Sequence, residues 1–248
     1  MNARTRNGKN FCSLLTGAFA VALVATAIGT FSFSTRGLAE TAVLIPPPAM
    51  LEPQNNGKQV ETAIVAGGCF WGVQAVFQHL KGVSGAVSGY AGGRGNTAQY
   101  EMVSSGTTGH AEAVKITFDP KIINYGTILR VYFSVAHNPT ELNRQGPDTG
   151  TQYRSAIFPD SDAQKQVAEA YIKQLGDSGV FKDPVVTSIE TAKTFYPAEA
   201  YHQDYATLHP DSGYIAMFDL PKIVELNRLF PELYNARPVL VGKTGSSS

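Results

Sequence analysis

Cys69 is the residue of this sequence that is best placed for chemistry. It lies in the stretch Gly67-Gly68-Cys69-Phe70-Trp71-Gly72, where an apolar, strand-like run gives way to a helix-like one. The first turn of a helix offers unpaired backbone N–H groups and the positive end of the helix dipole, which stabilise a thiolate and lower the pKa of a thiol. Glycine neighbours also leave room for a substrate. We therefore expect a reactive thiol, although the apolar neighbours alone are more typical of an inert, buried cysteine.

Glu112 is the candidate proton donor. The run Ala111 to Phe118 alternates so that Val114, Ile116 and Phe118 share one face, which predicts a half-buried strand. Glu112 belongs to that apolar face, where a low dielectric favours the protonated carboxyl, but a side chain at the end of a strand could equally reach water. A thiolate, a proton donor and an apolar pocket together indicate attack on a polarised, oxygen-bearing centre.

The elements that must position these two residues alternate along the chain. Strands are predicted at Ala63 to Ala66, Ala111 to Phe118, Tyr153 to Phe158 and Val185 to Glu190. Helices are predicted at Phe70 to Leu80, Tyr125 to Val135, Ser161 to Gly176, Tyr201 to Leu208 and Lys222 to Phe230, and Ser161 opens a capping box. This order predicts a single α/β domain: a two-layer α+β arrangement with a ferredoxin-like mixed sheet as its core and helices packed on it.

Residues 1–39 have the composition of an export signal. Three basic residues precede an apolar stretch from Phe11 to Phe33, and Gly37-Leu38-Ala39 supplies small residues where a signal peptidase cuts. We expect an exported protein, periplasmic or extracellular. An uncleaved membrane anchor is the alternative, because roughly 20 apolar residues can span a bilayer. Contact with a membrane is expected only in that case.

The remaining boundaries follow from composition. Residues 40–59 contain Pro46-Pro47-Pro48 and predict an extended linker, residues 60–238 form the domain, and residues 239–248 predict a disordered tail.

Charge and cysteine content exclude several classes of function. The chain has 20 basic and 20 acidic residues, so it has no net field to attract nucleic acid. If residues 1–39 are removed, Cys12 is lost with them and Cys69 has no partner for an internal disulfide. One cysteine and scattered histidines cannot build a zinc or haem site. We therefore expect no bound metal or cofactor.

Several motifs in order resemble those of the A-type peptide methionine sulfoxide reductases. The similarity extends from about Val60 to about Tyr234. The motifs are Gly68-Cys69-Phe70-Trp71-Gly72, Gly89-Tyr90-x-Gly92-Gly93, Thr108-Gly109-His110-Ala111-Glu112-Ala113-Val114, Asn143-Arg144-Gln145-Gly146-x-Asp148 through Gly150-Thr151-Gln152-Tyr153-Arg154-Ser155, and Phe195-Tyr196-x-Ala198-Glu199-x-Tyr201-His202-Gln203-Asp204-Tyr205.

The resemblance implies a peptide-methionine (S)-S-oxide reductase. Cys69 would attack the sulfoxide sulfur and Glu112 would protonate the departing oxygen, which releases methionine and leaves a sulfenic acid on Cys69. The substrates would be oxidised proteins or peptides and free methionine sulfoxide. The implied substrate-binding residues have three roles. Phe70 and Trp71 would hold the methyl group, and Tyr100 and Tyr153 would hydrogen-bond the sulfoxide oxygen. Asp148 would orient the site through water.

Two departures from the family pattern bear on this interpretation. Where many relatives have a resolving cysteine after Gly-Tyr, this chain reads Gly213-Tyr214-Ile215 and no cysteine follows. It therefore resembles a one-cysteine branch, in which an external thiol such as thioredoxin, glutaredoxin or a small thiol reduces the sulfenic acid. Asn138 replaces a usual aspartate, and we expect a local turn effect there without loss of catalysis.

We also expect the protein to be a monomer.

Three other functions remain open on the residues alone. A cysteine hydrolase would need a histidine base, and His202 is the best of His110, His137, His202 and His209. A peroxide-reducing thiol enzyme would also pass through a sulfenic acid. A non-catalytic, exported module could bind a methionine-like side chain with Cys69 as packing, although such a pocket has no need of a thiol beside a proton donor.

Overall fold

The computed structural model describes residues 42–52, 59–191 and 194–243. The predicted export segment and Cys12 lie outside these residues. Within them, none of the helices combines the length and the apolar character that crossing a membrane requires.

The described residues form eight strands and six α-helices. The strands are β1 (Glu61–Ala66), β2 (Val83–Ala91), β3 (Ala111–Phe118), β4 (Arg144–Gln145), β5 (Asp148–Thr149), β6 (Ala156–Phe158), β7 (Ser188–Ile189) and β8 (Phe195–Pro197). The α-helices are α1 (Phe70–Gln78), α2 (Tyr100–Val103), α3 (Tyr125–Val131), α4 (Asp162–Ser178), α5 (Tyr205–Leu208) and α6 (Leu220–Leu229). Two π-helical turns, Tyr132–Ala136 and Ile215–Asp219, follow α3 and precede α6.

Six strands form one mixed sheet in the order β7-β6-β1-β3-β2-β8. Every neighbouring pair is antiparallel except β6 and β7, which are parallel. β4 and β5 pair separately as a short hairpin. A mixed sheet with helices packed on it confirms the predicted fold class.

The period-two pattern of β3 determines what each face of the sheet contacts. Val114, Ile116 and Phe118 lie in the main core with buried residues of α1, α3 and α4. Ala111 and Ala113 lie in a smaller cluster on the opposite face. The register predicted for β3 is therefore confirmed, and it places Glu112 on the same face as the main core.

The helix after β6 begins as predicted and ends later. The Ser161 hydroxyl accepts the backbone N–H of Gln164 at 3.1 Å, as the capping box requires. The predicted stop at Gly176 is wrong, because α4 continues to Ser178 and ends at Gly179, whose φ of 64° is the left-handed conformation typical of a helix C-terminus. A glycine inside a helix costs only about 1 kcal/mol, which tertiary packing of α4 offsets.

Residues 42–52 are packed against the domain, so the linker predicted from the prolines is wrong for this segment, which we call the N-terminal strap. Ile45 is 1% exposed and belongs to the main core. The backbone N–H of Val43 donates to the Ser134 carbonyl at 2.9 Å, and the Tyr171 hydroxyl donates to the Pro46 carbonyl at 2.6 Å. Prolines keep the strap extended and out of the sheet, while side chains of the domain satisfy its carbonyls.

The C-terminal residues are bound to α1 and to the start of α5 beyond the point where the tail was predicted to begin. The backbone N–H of Val239 donates to the Gln78 carbonyl, and that of Val241 donates to Asp204 Oδ1, both at 3.0 Å. Residues 239–241 are therefore hydrogen-bonded, contrary to the prediction. Residues 244–248 lie outside the described residues.

Candidate active site

Cys69 is the N-cap residue of α1 and is partly exposed, with a free thiol. Gly68 precedes it with a φ of 87°, and a Cβ atom at this position would lie 2.6 Å from the Cβ of Gln145. Only glycine fits both restrictions. The turn from β1 into α1 therefore places Cys69 on a closely packed backbone that has no room for a side chain at residue 68.

The environment of Cys69 favours the thiol over the thiolate. Burial raises the pKa of Cys69 well above its ordinary value, and the carboxyl groups of Glu112 and Asp219 raise it further. A hydrogen bond from the backbone of Trp71, the contribution of the helix N-terminus, lowers the pKa. The lowered pKa expected from the helix position is wrong, because burial and acidic neighbours outweigh the helix N-terminus.

Glu112 is buried within the sheet at the level of the thiol. It is 2% exposed, it lies opposite Tyr90 of β2, and its Oε2 accepts the backbone N–H of Phe70 at 3.0 Å. Burial raises the pKa of Glu112 to about 8; the Phe70 hydrogen bond opposes this, and the carboxylates of Asp148 and Asp219 add to it. The carboxyl is thus a protonated acid at neutral pH, and the alternative that its side chain reaches water is wrong.

An aromatic wall lies beside the thiol. Phe70 is buried, while Trp71 is partly exposed and stacks on Tyr205 with ring centroids 3.9 Å apart. The indole N–H of Trp71 donates to Nδ1 of His202 at 3.2 Å, and the Tyr214 ring meets the indole edge-on at 6.1 Å. The Trp71 ring is therefore fixed in a single orientation.

Two tyrosines approach the same site from different elements. Tyr100 opens α2, and its backbone N–H donates to Glu199 Oε1 at 3.0 Å. Tyr153 ends a 3₁₀ turn, Thr151–Tyr153. Burial raises the pKa of both hydroxyls, and the charges of Glu112 and Cys69 raise both further. Both hydroxyls therefore stay protonated and can donate hydrogen bonds.

Asp148 enters the site on the β4–β5 hairpin. Its Oδ2 accepts the hydroxyl of Tyr214. Burial raises the pKa of Asp148, whereas the Tyr214 hydrogen bond and the charge of Lys222 lower it. With Asp148 in place, the structure brings Cys69 and the six other residues selected from the sequence together in one site.

The structure adds five residues near the thiol or against Phe70, Trp71 and Tyr100 that were not selected as site residues. His202, Tyr205 and Glu199 lie in the motif that begins at Phe195 and could have been selected from it. Tyr214 could have been selected because it precedes the position where relatives carry a resolving cysteine. Asp219 gives no sequence signal, because a carboxylate before a helix is usually a solvated cap.

The four histidines considered as a hydrolase base make other contacts in the structure. His110 and His137 use both ring nitrogens in hydrogen bonds with backbone groups and with a serine hydroxyl. His202 accepts the Trp71 indole N–H through Nδ1, while its Nε2 lies 3.9 Å from Glu199. His209 packs on Tyr205. None of these contacts of the described histidines joins a ring nitrogen to the sulfur.

Asn138 forms the local turn expected for it. Its Oδ1 accepts the backbone N–H of Thr140 at 3.1 Å and the Thr140 hydroxyl at 2.8 Å. The side-chain amide of Gln145 bonds to both backbone groups of Asn138: its Oε1 accepts the N–H, and its Nε2 donates to the carbonyl. Since Gln145 also packs against Gly68, this turn supports the loop that carries Cys69.

Among the described side chains, no three acidic, histidine or cysteine groups are arranged to hold a metal ion.

Comparison with known proteins adds independent information. The family model "Peptide methionine sulfoxide reductase" matches residues 61–231. The peptide methionine sulfoxide reductase MsrA 2 of Mesorhizobium japonicum is 64% identical over 181 residues, which is 73% of this chain and 93% of the relative. MsrA 2 of Synechocystis sp. is 42% identical over 216 residues, 86% of this chain and 99% of the relative.

A solved structure has a similar fold. The crystal structure of Mxr1 from Saccharomyces cerevisiae in reduced form is 32% identical to this chain. It covers 69% of this chain and 94% of its own, with a TM-score of 0.56.

Proposed function

Because this chain belongs to the peptide methionine sulfoxide reductase family, type A, and is an oxidoreductase that reduces methionine sulfoxide, we propose that Cys69 is its nucleophile and Glu112 its proton donor. The observation that carries this proposal is the hydrogen bond from the Phe70 N–H to Glu112. It holds a buried, protonated carboxyl beside the residue that bears the thiol.

The reaction balances with these two groups. The sulfur of Cys69 bonds to the substrate sulfur while Glu112 delivers a proton to the sulfoxide oxygen. The oxygen then bonds to the Cys69 sulfur as its bond to the substrate sulfur breaks, and the sulfur–sulfur bond breaks to release the substrate as a thioether. Two electrons pass from the Cys69 sulfur to the substrate sulfur, and the oxygen ends as the hydroxyl of a sulfenic acid on Cys69. The proton that the thiol gives up restores the acid form of Glu112.

The remaining site residues suit a methyl sulfoxide. Phe70 and Trp71 offer an apolar wall for the methyl group, and the hydroxyls of Tyr100 and Tyr153 can donate to the sulfoxide oxygen. Asp148, fixed by Tyr214, orients the polar side of the site. An apolar wall on one side of the site and hydrogen-bond donors on the other distinguish the two epimers at sulfur. We assign the S epimer of methionine sulfoxide as the substrate of this chain, both in oxidised proteins and as the free amino acid.

An external thiol completes the cycle in this proposal. The position after Gly213-Tyr214, where relatives have a resolving cysteine, is Ile215, which is 0% exposed in a cluster with Ala75 and Ala206. An incoming thiol displaces water from the Cys69 sulfenic acid, and a second thiol releases the resulting mixed disulfide. A thioredoxin-like protein, a glutaredoxin or a small thiol fits this role.

Assays with a sulfoxide peptide and with hydrogen peroxide separate this proposal from its rivals. The purified protein with excess dithiothreitol should convert a peptide containing S-methionine sulfoxide to the methionine peptide, and Cys69→Ser should abolish conversion. Cleavage of the peptide backbone would support a cysteine hydrolase. Consumption of hydrogen peroxide without sulfoxide reduction would support a peroxidase, and binding without conversion would support a binding module.

We further propose that residues 1–39 direct export to the periplasm or the extracellular space. Support comes from the basic residues, the apolar stretch and the small residues at Gly37-Leu38-Ala39. Mass spectrometry of the natural protein should find an N-terminus near residue 40 in the exported fraction. An intact N-terminus in the membrane fraction would establish an anchor, and one in the cytoplasm would contradict export.

A further inference from the structure

A buried ion pair lies against the helical turn that follows Cys69. Asp219 ends the π-helical turn before α6 and is 0% exposed, and Lys222 Nζ lies 3.5 Å from its Oδ1. Both side chains meet α1 at Gly72, where a Cβ atom would lie 2.0 Å from Asp219 Oδ1 and 3.0 Å from Lys222 Nζ. The ion pair therefore requires glycine at position 72.

The carboxylate of Asp219 is poorly satisfied. Among the residues that the structure describes, neither of its oxygens has a hydrogen-bond partner, and Lys222 supplies the neighbouring charge. A buried ion pair of this kind is weak evidence for stability, since apolar residues of similar volume often stabilise a core equally well. A purely structural role does not explain why a charge is kept at this place.

The charge of Asp219 acts on the groups that carry out the reaction. It raises the pKa of Cys69 and that of Glu112, for both of which burial is the largest cause of the shift. Burial raises the pKa of Asp219 itself, and Lys222 opposes this and favours the carboxylate. The other titratable groups facing this pair, from the elements packed around it, are Asp148, Tyr214 and, beside Lys222, His137.

We propose that Asp219, held by Lys222 and packed against Gly72, is a positioning residue for the reduction: it places a negative charge at the first turn of α1, at the helix end that carries Cys69, and acts there on the two groups that exchange protons in the reaction. This inference rests on the proposed roles of Cys69 and Glu112. Each turnover places a proton on the sulfoxide oxygen and withdraws one from the thiol, so a resting site that holds both protons contains what one turnover needs.

The test compares Asp219→Asn with Glu225→Gln, a change on the same helix at a surface residue paired with Arg228. The rate of Cys69 alkylation by iodoacetamide and the rate of methionine release are measured from pH 5 to pH 10. In Asp219→Asn both profiles should move by roughly one unit to lower pH, because a nearby negative charge is lost. Glu225→Gln should keep both wild-type profiles.

A second variant covers the case in which Asp219→Asn does not fold. Gly72→Ala keeps the charge but forces Asp219 away from α1, and it should move the profiles in the same direction. Thermal melting shows whether each variant is folded. A folded Asp219→Asn or Gly72→Ala variant that keeps both wild-type pH profiles would overturn the inference. Methionine release by Cys69→Ser would instead contradict the proposed function, so the two failures are distinguishable.

Discussion

Glu112 Oε2 accepts the backbone N–H of Phe70 at 3.0 Å, which joins the buried end of β3 to the first turn of the helix that begins after Cys69. A single hydrogen bond thus fixes the distance between a carboxyl and the residue next to the thiol. The same bond lowers the pKa of Glu112, while burial raises it to about 8. The carboxyl is therefore an acid at neutral pH that can still ionise during turnover.

Replacement of this acid should abolish most of the rate. In Glu112→Gln the amide keeps the shape of the side chain but cannot deliver a proton, so we expect methionine release to fall by roughly 10²- to 10⁴-fold. Substrate binding should change little. Single-turnover kinetics check the rate, and Glu169→Gln, on the surface of α4, is the matched control. A Glu112→Gln variant with the wild-type rate would remove Glu112 from the mechanism.

The rate of methionine release should decrease as the pH rises above about 8. The acid form of Glu112 is the active one, and it is lost above its pKa of about 8. Burial also raises the pKa of the Cys69 thiol, and ionisation of the thiol would increase the rate with pH, so a decrease reports Glu112. Pre-steady-state rates between pH 6 and pH 10 test this expectation. A rate that rises through pH 8 would show that thiol ionisation limits the reaction instead.

Loss of the Trp71 indole should weaken substrate binding. Trp71→Phe removes the hydrogen bond to His202 and part of the stack on Tyr205. We expect kcat/KM to fall roughly tenfold, about 1.4 kcal/mol, mainly through KM. Tyr234→Phe, which changes an aromatic ring stacked on His79 away from the thiol, is the control. An unchanged KM for Trp71→Phe would show that the indole does not contact the substrate.

The N-terminal strap should contribute to stability. Ile45→Ala removes a core side chain that is 1% exposed, and we expect a loss of about 2 to 5 kcal/mol in the free energy of unfolding. Leu44→Ala, at a position that is 52% exposed, should change it by less than about 0.5 kcal/mol. Urea unfolding measures both variants. Equal stability of the two would mean that the strap does not pack as described.

The sequence was most informative where a period or a motif reports directly on geometry. The alternation of β3 placed Glu112 on the buried face, and the family resemblance selected Cys69 and the six other residues of its site. It was least informative where distant segments meet. Ile45 is buried in spite of the neighbouring prolines, because side chains from α3 and α4 bind the carbonyls of the strap.

The ionisation of the site was equally hidden from the sequence. The position of Cys69 at a helix N-terminus predicted a lowered pKa, but the pKa is raised by burial and by carboxylates from other elements. One of these carboxylates belongs to Asp219, which lies 150 residues further along the chain and reaches α1 only because residue 72 is glycine. Such effects depend on tertiary contacts between side chains, which local patterns do not report.

The most direct test of the central claim is a single turnover without reductant. One equivalent of a peptide containing S-methionine sulfoxide is mixed with the purified protein, and the products are measured by mass spectrometry. We predict about one methionine formed per protein chain and one sulfenic acid, trapped by dimedone on Cys69. Methionine formation by Cys69→Ser, or turnover by the wild type that leaves Cys69 unmodified, would contradict the account.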